Sequence, residues 1–452
     1  MSRVWQTDVM MPSVRACAMA LVGMTACRAA PIAAPVAAPE PRSQSQPQPA
    51  PAPQAQPEAA APSTVVSPEA LATVPPIADR LVLDAVTWAD VPGWADDTIA
   101  DALPALLASC AKLARKKDTD ALGVAPFGGT AADWRALCAA AAKVPAGDHV
   151  RARAMLEREL VPYAASNNDS NVGKLTGYYV AEVRASRRRR GRYQVPVYGR
   201  PPDLVSVDLT HFVDDARGRR VWGRLDKKTG AVIPYATRAE IRNGALAGKK
   251  LELLWADSKV DLLFAEIQGS ARVHLDDGTT VWLEFAGKNG QPYKGVGKLL
   301  REMGELEAGQ GTMQGIRAWF DAHPDRVDEI MDLNPSKVFF ALRTRAGARG
   351  SQGVFLTPRR SMAIDRAYIA HSTPIWVETD APVVGGSGTA PWRHLLVAQD
   401  TGGGILGPLR GDIYWGDDTQ AAEIAGRMGG PGKFWLLLPR SITVVGKSLT
   451  PP

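Results

Sequence analysis

Cysteine and histidine are scarce in this sequence of 452 residues, which contains four cysteines and six histidines. The histidines are scattered and no cysteine–histidine set has the spacing of metal ligands, so we expect neither a metal site nor a cofactor. Cys17 lies inside an apolar amino-terminal segment, and Cys27 directly follows that segment. Cys110 and Cys138 both fall in helical patterns, where we expect either a disulfide in an oxidising compartment or two separate buried thiols.

A strong excess of one charge is also absent. The formal net charge is +6, and no basic cluster is interleaved with aromatic residues, so nucleic-acid binding is not predicted. A mildly basic chain fits an anionic partner such as a cell-wall polymer. The densest basic run, Arg187 to Arg190, is interpreted as a solvated hairpin tip. The length and a hydrophobic content of 45% indicate two folded domains with real cores.

The amino terminus has the features of an export signal. Arg15 provides a basic flank, and the apolar stretch after it is too short to span a bilayer. Small residues precede Cys27 as in lipoprotein processing sites, so residues 1–26 are predicted to be a signal peptide and Cys27 to carry a lipid. Residues 27–78, rich in Ala, Pro, Gln and Ser, are predicted to form a disordered tether. The protein is therefore expected in the periplasm or on the periplasmic face of the outer membrane.

The folded part changes character along the chain. Residues 88–163 have helical periodicity, whereas many short strand patterns with glycine and proline turns follow from Gly173. This alternation favours small β-barrels over a parallel α/β sheet. We expect strands at 175–180 and 193–198 on either side of the basic turn, and a hairpin turn at Asp277-Gly278.

The stretch from Ala398 to Trp415 carries two aspartates around a glycine-rich turn. Asp400 closes an apolar strand pattern, and Asp412 comes just before the short strand pattern Ile413-Tyr414-Trp415. Between them, Gly402 and Gly403 let the backbone approach a ligand closely. A carboxyl group beside such a cleft suits acid catalysis on a sugar. Alternatively, Asp400 makes an Asx turn and Asp412 caps a bulge.

Polar side chains next to glycines at predicted strand ends form a second set of candidates. They are Gln268, Ser270, Lys288 and Asn289. Such groups are suited to bind sugar hydroxyls, and ordinary turn chemistry explains them equally well.

Three functions compete for the two aspartates. Asp400-Thr401-Gly402 matches the tripeptide of pepsin-like proteases, but these enzymes need a second such carboxylate and the chain has no second Asp-Thr-Gly. A non-catalytic wall-binding module would use aromatic residues such as Tyr178 and Trp415. In the third, one carboxyl with a raised pKa cleaves a glycosidic bond, because the C6 hydroxyl of N-acetylmuramic acid can attack C1 itself.

Seven segments resemble the membrane-bound lytic murein transglycosylase A family, in order, over about residues 80–440. They are Leu175–Tyr179 (LTGYY), Val195–Gly199 (VPVYG), Arg238–Leu246 (RAEIRNGAL), Ile267–Gly278 (IQGSARVHLDDG), Ala286–Leu300 (AGKNGQPYKGVGKLL), Asn334–Phe340 (NPSKVFF) and Ala398–Gly416 (AQDTGGGILGPLRGDIYWG). Two departures are Gly404, where the family commonly has Ala, and Leu406, where Lys is common.

The resemblance implies a mainly β fold with some α structure. A double-psi β-barrel would be split by an inserted smaller β domain, with a helical cap at its amino-terminal end. The implied ranges are 79–182 for the first barrel part with the cap, 183–333 for the insert, 334–442 for the second barrel part and 443–452 for a tail.

The resemblance also implies residue roles and an activity. Asp412 would be the single catalytic acid/base, Asp400 its companion and Asp365 the third aspartate of the family signature. The implied glycan-binding residues are Thr176, Tyr178, Tyr179, Gln268, Gly269, Ser270, Lys288, Asn289, Asp365, Gly402 and Gly403. The implied monomeric enzyme would cleave the MurNAc-β-1,4-GlcNAc bond of peptidoglycan and leave 1,6-anhydro-MurNAc ends. A non-catalytic peptidoglycan-binding module and a hydrolase that leaves hydrated ends are the alternatives.

Overall fold

The computed structural model describes residues 78–123, 127–209, 212, 220–307, 309–444 and 448–449. The predicted signal peptide, Cys27 and nearly all of the predicted tether lie outside these residues. Within them, the structure contains no helix with the length and apolar character needed to cross a membrane.

The strands are numbered in chain order. They are β1 Leu81–Ala85, β2 Leu160–Asn167, β3 Gly173–Tyr178, β4 Ala181–Ser186, β5 Val195–Tyr198, β6 Leu204–Asp208, β7 Arg220–Leu225, β8 Val232–Ile233, β9 Glu252–Ala256, β10 Ser270–Leu275, β11 Thr280–Lys288, β12 Val338–Arg343, β13 Ser361–Ile364, β14 Pro374–Pro382, β15 Thr389–Asp400, β16 Arg410–Tyr414, β17 Gly429–Pro439 and β18 Ser448–Leu449.

The α-helices are numbered in the same way. They are α1 Leu103–Leu113, α2 Arg135–Ala141, α3 His149–Glu159, α4 Arg238–Glu240, α5 Lys259–Gln268, α6 Val296–Glu302, α7 Met313–Ala322, α8 Val327–Asp332 and α9 Thr419–Arg427. Short 3-10 segments lie at Trp88–Asp90, Ile99–Ala102, Ala132–Trp134 and Pro324–Arg326, and α4 continues into a π-type turn at Ile241–Ala245.

One sheet closes on itself as a six-stranded barrel, called here the catalytic barrel. Its strand order is β14-β15-β13-β16-β3-β17, and β17 pairs back to β14. Strands β2, β1 and β18 extend the same sheet from β17. The barrel interior is tight at Gly411, where an added Cβ would lie 2.7 Å from Met362 Sδ and 2.8 Å from a methyl group of Leu175. A larger residue directly before Asp412 would therefore force these buried side chains to shift.

A second sheet, called here the insert barrel, has the order β12-β11-β10-β4-β9-β5. A bridge between Gly199 and Phe340 nearly closes it. The expected hairpin at Asp277-Gly278 joins β10 to β11, with Gly278 in a left-handed conformation at φ 82°. Together the two barrels confirm the expected mainly β fold with some helices.

The strand pairing places the domain limits differently from the sequence prediction. The strand expected at 175–180 corresponds to β3, which ends at Tyr178 and pairs in the catalytic barrel. The next strand, β4, begins at Ala181 and already pairs in the insert barrel. The insert also extends past residue 333, since β12 pairs with β11. Strands β4 and β5 flank the basic turn, and both pair with β9.

Helices α1 to α3 precede the catalytic barrel and form the cap. A disulfide joins Cys110 in α1 to Cys138 in α2. Behind the cap, the buried carboxylate of Asp97 accepts hydrogen bonds from the guanidinium of Arg360 at 2.7 and 2.8 Å and from the backbone of Leu395 at 3.0 Å. Because Arg360 and Leu395 belong to the barrel region, this ion pair fastens the cap to it.

Candidate active site

The two aspartates lie at one level of the catalytic barrel. The Cα atom of Ala363 in β13 is paired with Asp400 of β15 on one side and with Asp412 of β16 on the other. Thr176 of β3 is the next partner of Asp412. Neighbouring strands are about 4.8 Å apart, so the backbones of the two aspartates are about 10 Å apart.

Asp412 lies in the middle of β16, whereas the sequence predicted that it would precede a strand. The reason is that Arg410 and Gly411 already pair with Lys174 and Leu175 of β3. The acid is thus carried by a strand bonded on both sides, which fixes its backbone.

Thr176 and Arg410 hold one oxygen of Asp412. The Thr176 hydroxyl donates to Asp412 Oδ1 at 2.5 Å and accepts a bond from Arg410 Nη2 at 2.9 Å. Oδ1 is therefore positioned by the protein, whereas Oδ2 has no protein donor among the described residues.

The surroundings of Asp412 favour its protonated form. Burial is the largest influence and raises the pKa of Asp412 to about 6, and the negative charge of Asp400 acts in the same direction. The Thr176 hydrogen bond and the Arg410 charge oppose this rise in pKa. A carboxyl group with a pKa near neutrality can donate a proton and later take one back.

Asp400 is held more completely. Its Oδ1 accepts from the backbone N–H groups of Ser351 and Thr401, each at 2.8 Å, and its Oδ2 accepts from the Tyr178 hydroxyl at 2.9 Å. Burial raises the pKa of Asp400, whereas these hydrogen bonds favour the ionised carboxylate. With both oxygens engaged, the Asp400 carboxyl group is held in one position at the same level of the barrel as Asp412.

Tyr178 is buried next to the carboxylate of Asp400. Burial, followed by the charge of Asp400, raises the pKa of Tyr178 well above its ordinary value, so the phenol keeps its proton. Its ring packs against Tyr414 with centroids 5.3 Å apart. The phenol is thus a permanent donor to Asp400.

The insert barrel contributes a cation to the glycine-rich loop. A side chain starting at Gly403 would be 3.6 Å from Lys288 Nζ, and Gly402 and Gly403 themselves are exposed. Burial lowers the pKa of Lys288, and no carboxylate pairs with it in the described part of the chain. Lys288 is therefore available to an anionic ligand at the glycine-rich loop.

Asn289 and Asp365 make contacts of another kind. Asn289 is fully buried, and its amide bonds to the carbonyls of Ala236 and Pro335 and to the backbone N–H of Lys337. Direct contact between Asn289 and a substrate is therefore not supported. The carboxylate of Asp365 accepts from the backbone N–H groups of Ala367 and Gly407, which organises the loop before β16.

Tyr179 and the segment from Gln268 to Ser270 lie at the crossing between the barrels. Gln268 ends α5, Gly269 follows with φ 75°, and Ser270 is buried at the start of β10. Gln268 Oε1 accepts from the Tyr179 backbone N–H at 3.0 Å. The Gln268 bond joins the two barrels at the crossing, and within the described residues no hydrogen bond joins these side chains to either aspartate.

Arg410 and Ser351 are site residues that the sequence did not predict. Residues two apart on a strand share a face, so a basic residue two positions before a candidate acid was a usable signal. The partnership with Thr176 was harder to find, because 234 residues separate the two.

The fold and the site together define a two-barrel protein whose centre is one protonatable carboxyl group supported by a second carboxylate. Residues 174–341 match the MltA specific insert domain, and residues 360–438 match the 3D domain. The membrane-bound lytic murein transglycosylase A of Escherichia coli (strain K12) is 33% identical over 277 residues, which cover 60% of this chain and 67% of that protein. The enzyme of the same name from Vibrio cholerae is 38% identical over 236 residues, or 51% of this chain and 62% of that protein.

Solved structures agree with these matches. A membrane-bound lytic murein transglycosylase from Agrobacterium tumefaciens is 33% identical with a TM-score of 0.69, and the match covers 79% of this chain and 98% of that one. Escherichia coli MltA with bound chitohexaose is 26% identical with a TM-score of 0.57, covering 79% of this chain and 91% of that one. The chain belongs to the membrane-bound lytic murein transglycosylase A family, which confirms the resemblance seen in the sequence.

Proposed function

We propose that this enzyme is a lytic transglycosylase of peptidoglycan that cleaves the MurNAc-β-1,4-GlcNAc bond and leaves 1,6-anhydro-MurNAc ends. The observation that carries the proposal is the carboxyl group of Asp412, whose pKa burial raises to about 6. The names of the relatives supply the substrate class, and the chitohexaose complex of one relative supports glycan binding.

In the first step, protonated Asp412 donates its proton to the glycosidic oxygen while the bond from that oxygen to C1 breaks. In the second step, the Asp412 carboxylate takes the proton of the C6 hydroxyl while that oxygen bonds to C1. The proton count of Asp412 is restored and no water is consumed. One carboxyl therefore acts first as acid and then as base.

Asp400 supports both steps without transferring a proton. Its carboxylate lies near the positive charge that develops on the sugar ring, and the bond from Tyr178 holds it in place. Its charge also contributes to the raised pKa of Asp412. Gly402 and Gly403 leave the glycine-rich loop open to the glycan strand, and Lys288 contacts the anionic groups of that glycan.

The other candidate activities have less support. A pepsin-like dyad shares one proton between two adjacent carboxyl groups. Here Ala363 separates the two aspartates in the sheet, and Asp400 is bonded to Tyr178 rather than to Asp412. A binding module would not need a carboxyl group with a raised pKa inside the barrel.

The proposed location is the cell envelope, where the glycan strands of peptidoglycan are the partner. Relatives named membrane-bound support this location. The predicted lipid on Cys27 and the tether would then keep the barrels near a membrane surface.

The test is product analysis after digestion of purified sacculi. Mass spectra should show muropeptides one water lighter than hydrolysis products. Hydrated reducing ends alone would make the enzyme a hydrolase, and binding without released product would favour the module.

Replacing Arg410 with Gln should extend activity to higher pH. Removing the nearby positive charge raises the pKa of Asp412 further, so the acid form survives to higher pH. The measurement is kcat/KM against pH on soluble glycan strands. Arg410→Lys, which keeps the charge, should leave the descending limb near that of the wild type. If kcat/KM of Arg410→Gln falls at the same pH as in the wild type, the charge of Arg410 does not influence the pKa of Asp412.

Replacing Lys288 with Met should weaken binding of anionic muramyl strands. Loss of one charge-assisted hydrogen bond corresponds to about a tenfold rise in KM. Binding of neutral chitohexaose should change little, because that ligand carries no carboxylate. Lys294→Met, which removes an exposed lysine of the same domain, is the matched control. Equal losses for the two ligands would contradict the assigned role of Lys288.

A further inference from the structure

A second pocket lies at the crossing between the two barrels and is called here the rear pocket. It has a volume of about 280 Å³, and its lining includes Tyr179, Arg184, Asp261, Phe264, Arg317 and Ala422. Successive residues of an extended chain point to opposite faces. Tyr178 points to Asp400, so Tyr179 points away from the aspartates and into the rear pocket.

Both barrels contribute to the rear pocket. Arg184 comes from β4, Phe264 from α5 and Arg317 from α7 of the insert region, whereas Ala422 comes from α9 beside the catalytic barrel. Close by, Gln314 of α7 packs against Gly426 of α9. A ligand in this pocket would therefore touch both domains.

Most charges in the rear pocket are paired within the protein. Arg317 contacts Asp261 at 2.6 Å and also lies over the ring of Phe264 at 4.9 Å from its centroid. His274 contacts Glu182 at 2.6 Å. Both acidic residues of the lining are therefore paired, and the guanidinium of Arg184 has no acidic partner among the described residues.

Two hydrogen-bond donors in the rear pocket have no acceptor in the described part of the chain. One is the guanidinium of Arg184, a residue that is exposed to solvent at the mouth of the pocket's lining. The other is the hydroxyl of Tyr179, a residue only 9% exposed. Burial raises the pKa of Tyr179, so its hydroxyl keeps the proton it can donate. A cation and a phenol donor that line one pocket match a carboxylate.

We propose that the rear pocket is a second ligand site for a carboxylate-bearing peptide, with Arg184 and Tyr179 as the groups that bind the carboxylate. This inference rests on the proposed function, since murein carries short peptides with free carboxyl groups. The peptide comes either from the strand being cleaved or from separate material, and the experiment distinguishes the two.

The direct test is calorimetric titration of the full folded protein with the murein tripeptide L-alanyl-D-isoglutamyl-meso-diaminopimelate. The same tripeptide with amidated carboxyl groups is the matched ligand. We expect the free acid to bind and the amide to bind at least tenfold more weakly. Arg184→Gln should weaken the free acid about tenfold and Tyr179→Phe by a smaller factor, whereas Arg115→Gln, at an exposed site in the cap region, should not. No binding, equal binding of acid and amide, or unchanged binding by both pocket variants would overturn the proposal.

Turnover distinguishes the source of the peptide. If the cleaved strand supplies it, Arg184→Gln lowers kcat/KM on peptide-bearing strands and leaves peptide-free strands unaffected. If separate material supplies it, both substrates are unaffected while tripeptide binding is still lost. The titration involves no bond cleavage, so hydrated products would defeat the proposed function and leave this result standing.

Discussion

Asp412→Asn is expected to fold normally and to lose turnover on peptidoglycan by about a thousandfold or more. The amide keeps the shape of the side chain and can still accept from Thr176, but it can neither donate nor receive the transferred proton. General acid–base catalysis typically contributes about 10²- to 10⁴-fold, and here one group performs both transfers. The measurement is release of soluble muropeptides from sacculi under single-turnover conditions.

Asp400→Asn is the companion variant and should be impaired less. It removes the fixed charge beside the sugar but leaves the proton donor in place. Near wild-type release by Asp412→Asn would show that the proton comes from elsewhere, whatever the behaviour of Asp400→Asn.

Asp412→Asn should also be more stable than the wild type at neutral pH. The pKa of Asp412 is raised from 3.8 to about 6 in the folded protein, so the ionised group costs on the order of 3 kcal/mol at pH 7. Because the folded-state pKa is the higher one, this cost is absent below about pH 4 and grows until about pH 6. Urea denaturation at about pH 4 and at pH 7 should show a higher free energy of unfolding for Asp412→Asn than for the wild type at pH 7 only. A lower free energy of unfolding for Asp412→Asn at pH 7 would mean that burial does not disfavour the ionised form of Asp412.

Glu266→Gln is expected to destabilise the insert by about 3–5 kcal/mol, the typical cost of leaving a buried charge without its partner. The Glu266 side chain is only 3% exposed and pairs with both Arg238, at 2.7 Å, and Lys337. Burial opposes ionisation, but the two cations outweigh it and lower the pKa of Glu266. Without the carboxylate, two buried cations would face each other.

The damage should reach the cleft. The backbone N–H of Lys337 donates to Asn289 Oδ1 at 2.9 Å, and Asn289 directly follows Lys288. Losing the Glu266 contacts therefore loosens the segment that presents Lys288 to the glycine-rich loop. Activity on anionic strands should fall together with stability.

Urea denaturation measures this effect, and Glu302→Gln is the control. Glu302 makes an exposed ion pair with Lys298 at 3.6 Å, so its loss should change the free energy of unfolding by less than about 1 kcal/mol. Equal urea midpoints for Glu266→Gln and the wild type would show that the buried cluster does not hold the insert together.

The sequence predicted the local chemistry of the site better than its pairing. The two aspartates and the open glycines between them are features of one short stretch, and the structure places both aspartates at one level of the catalytic barrel. That Asp412 lies mid-strand follows from its pairing with Thr176, 236 residues earlier, which no local pattern encodes. The assignment of β12 to the insert has the same origin, because its partner β11 decides it.

The sequence also could not predict the direction in which individual side chains point. Successive residues of a strand face opposite sides, but only the bond to Asp400 shows that Tyr178 rather than Tyr179 joins the aspartates. Asn289 has the polar character of a sugar-binding residue and is nevertheless buried, because its amide completes the backbone bonds of two neighbouring loops. A polar residue beside a glycine does not reveal from sequence whether its bonds go to the protein or to a ligand.

The most direct test of a carboxyl group that serves the sugar's own hydroxyl is digestion in water labelled with heavy oxygen. The account predicts new chain ends without the label, because the oxygen that closes on C1 comes from C6 of the same sugar. One labelled oxygen at each new end, formed at the rate of bond cleavage, would show that water is the nucleophile and would contradict the account.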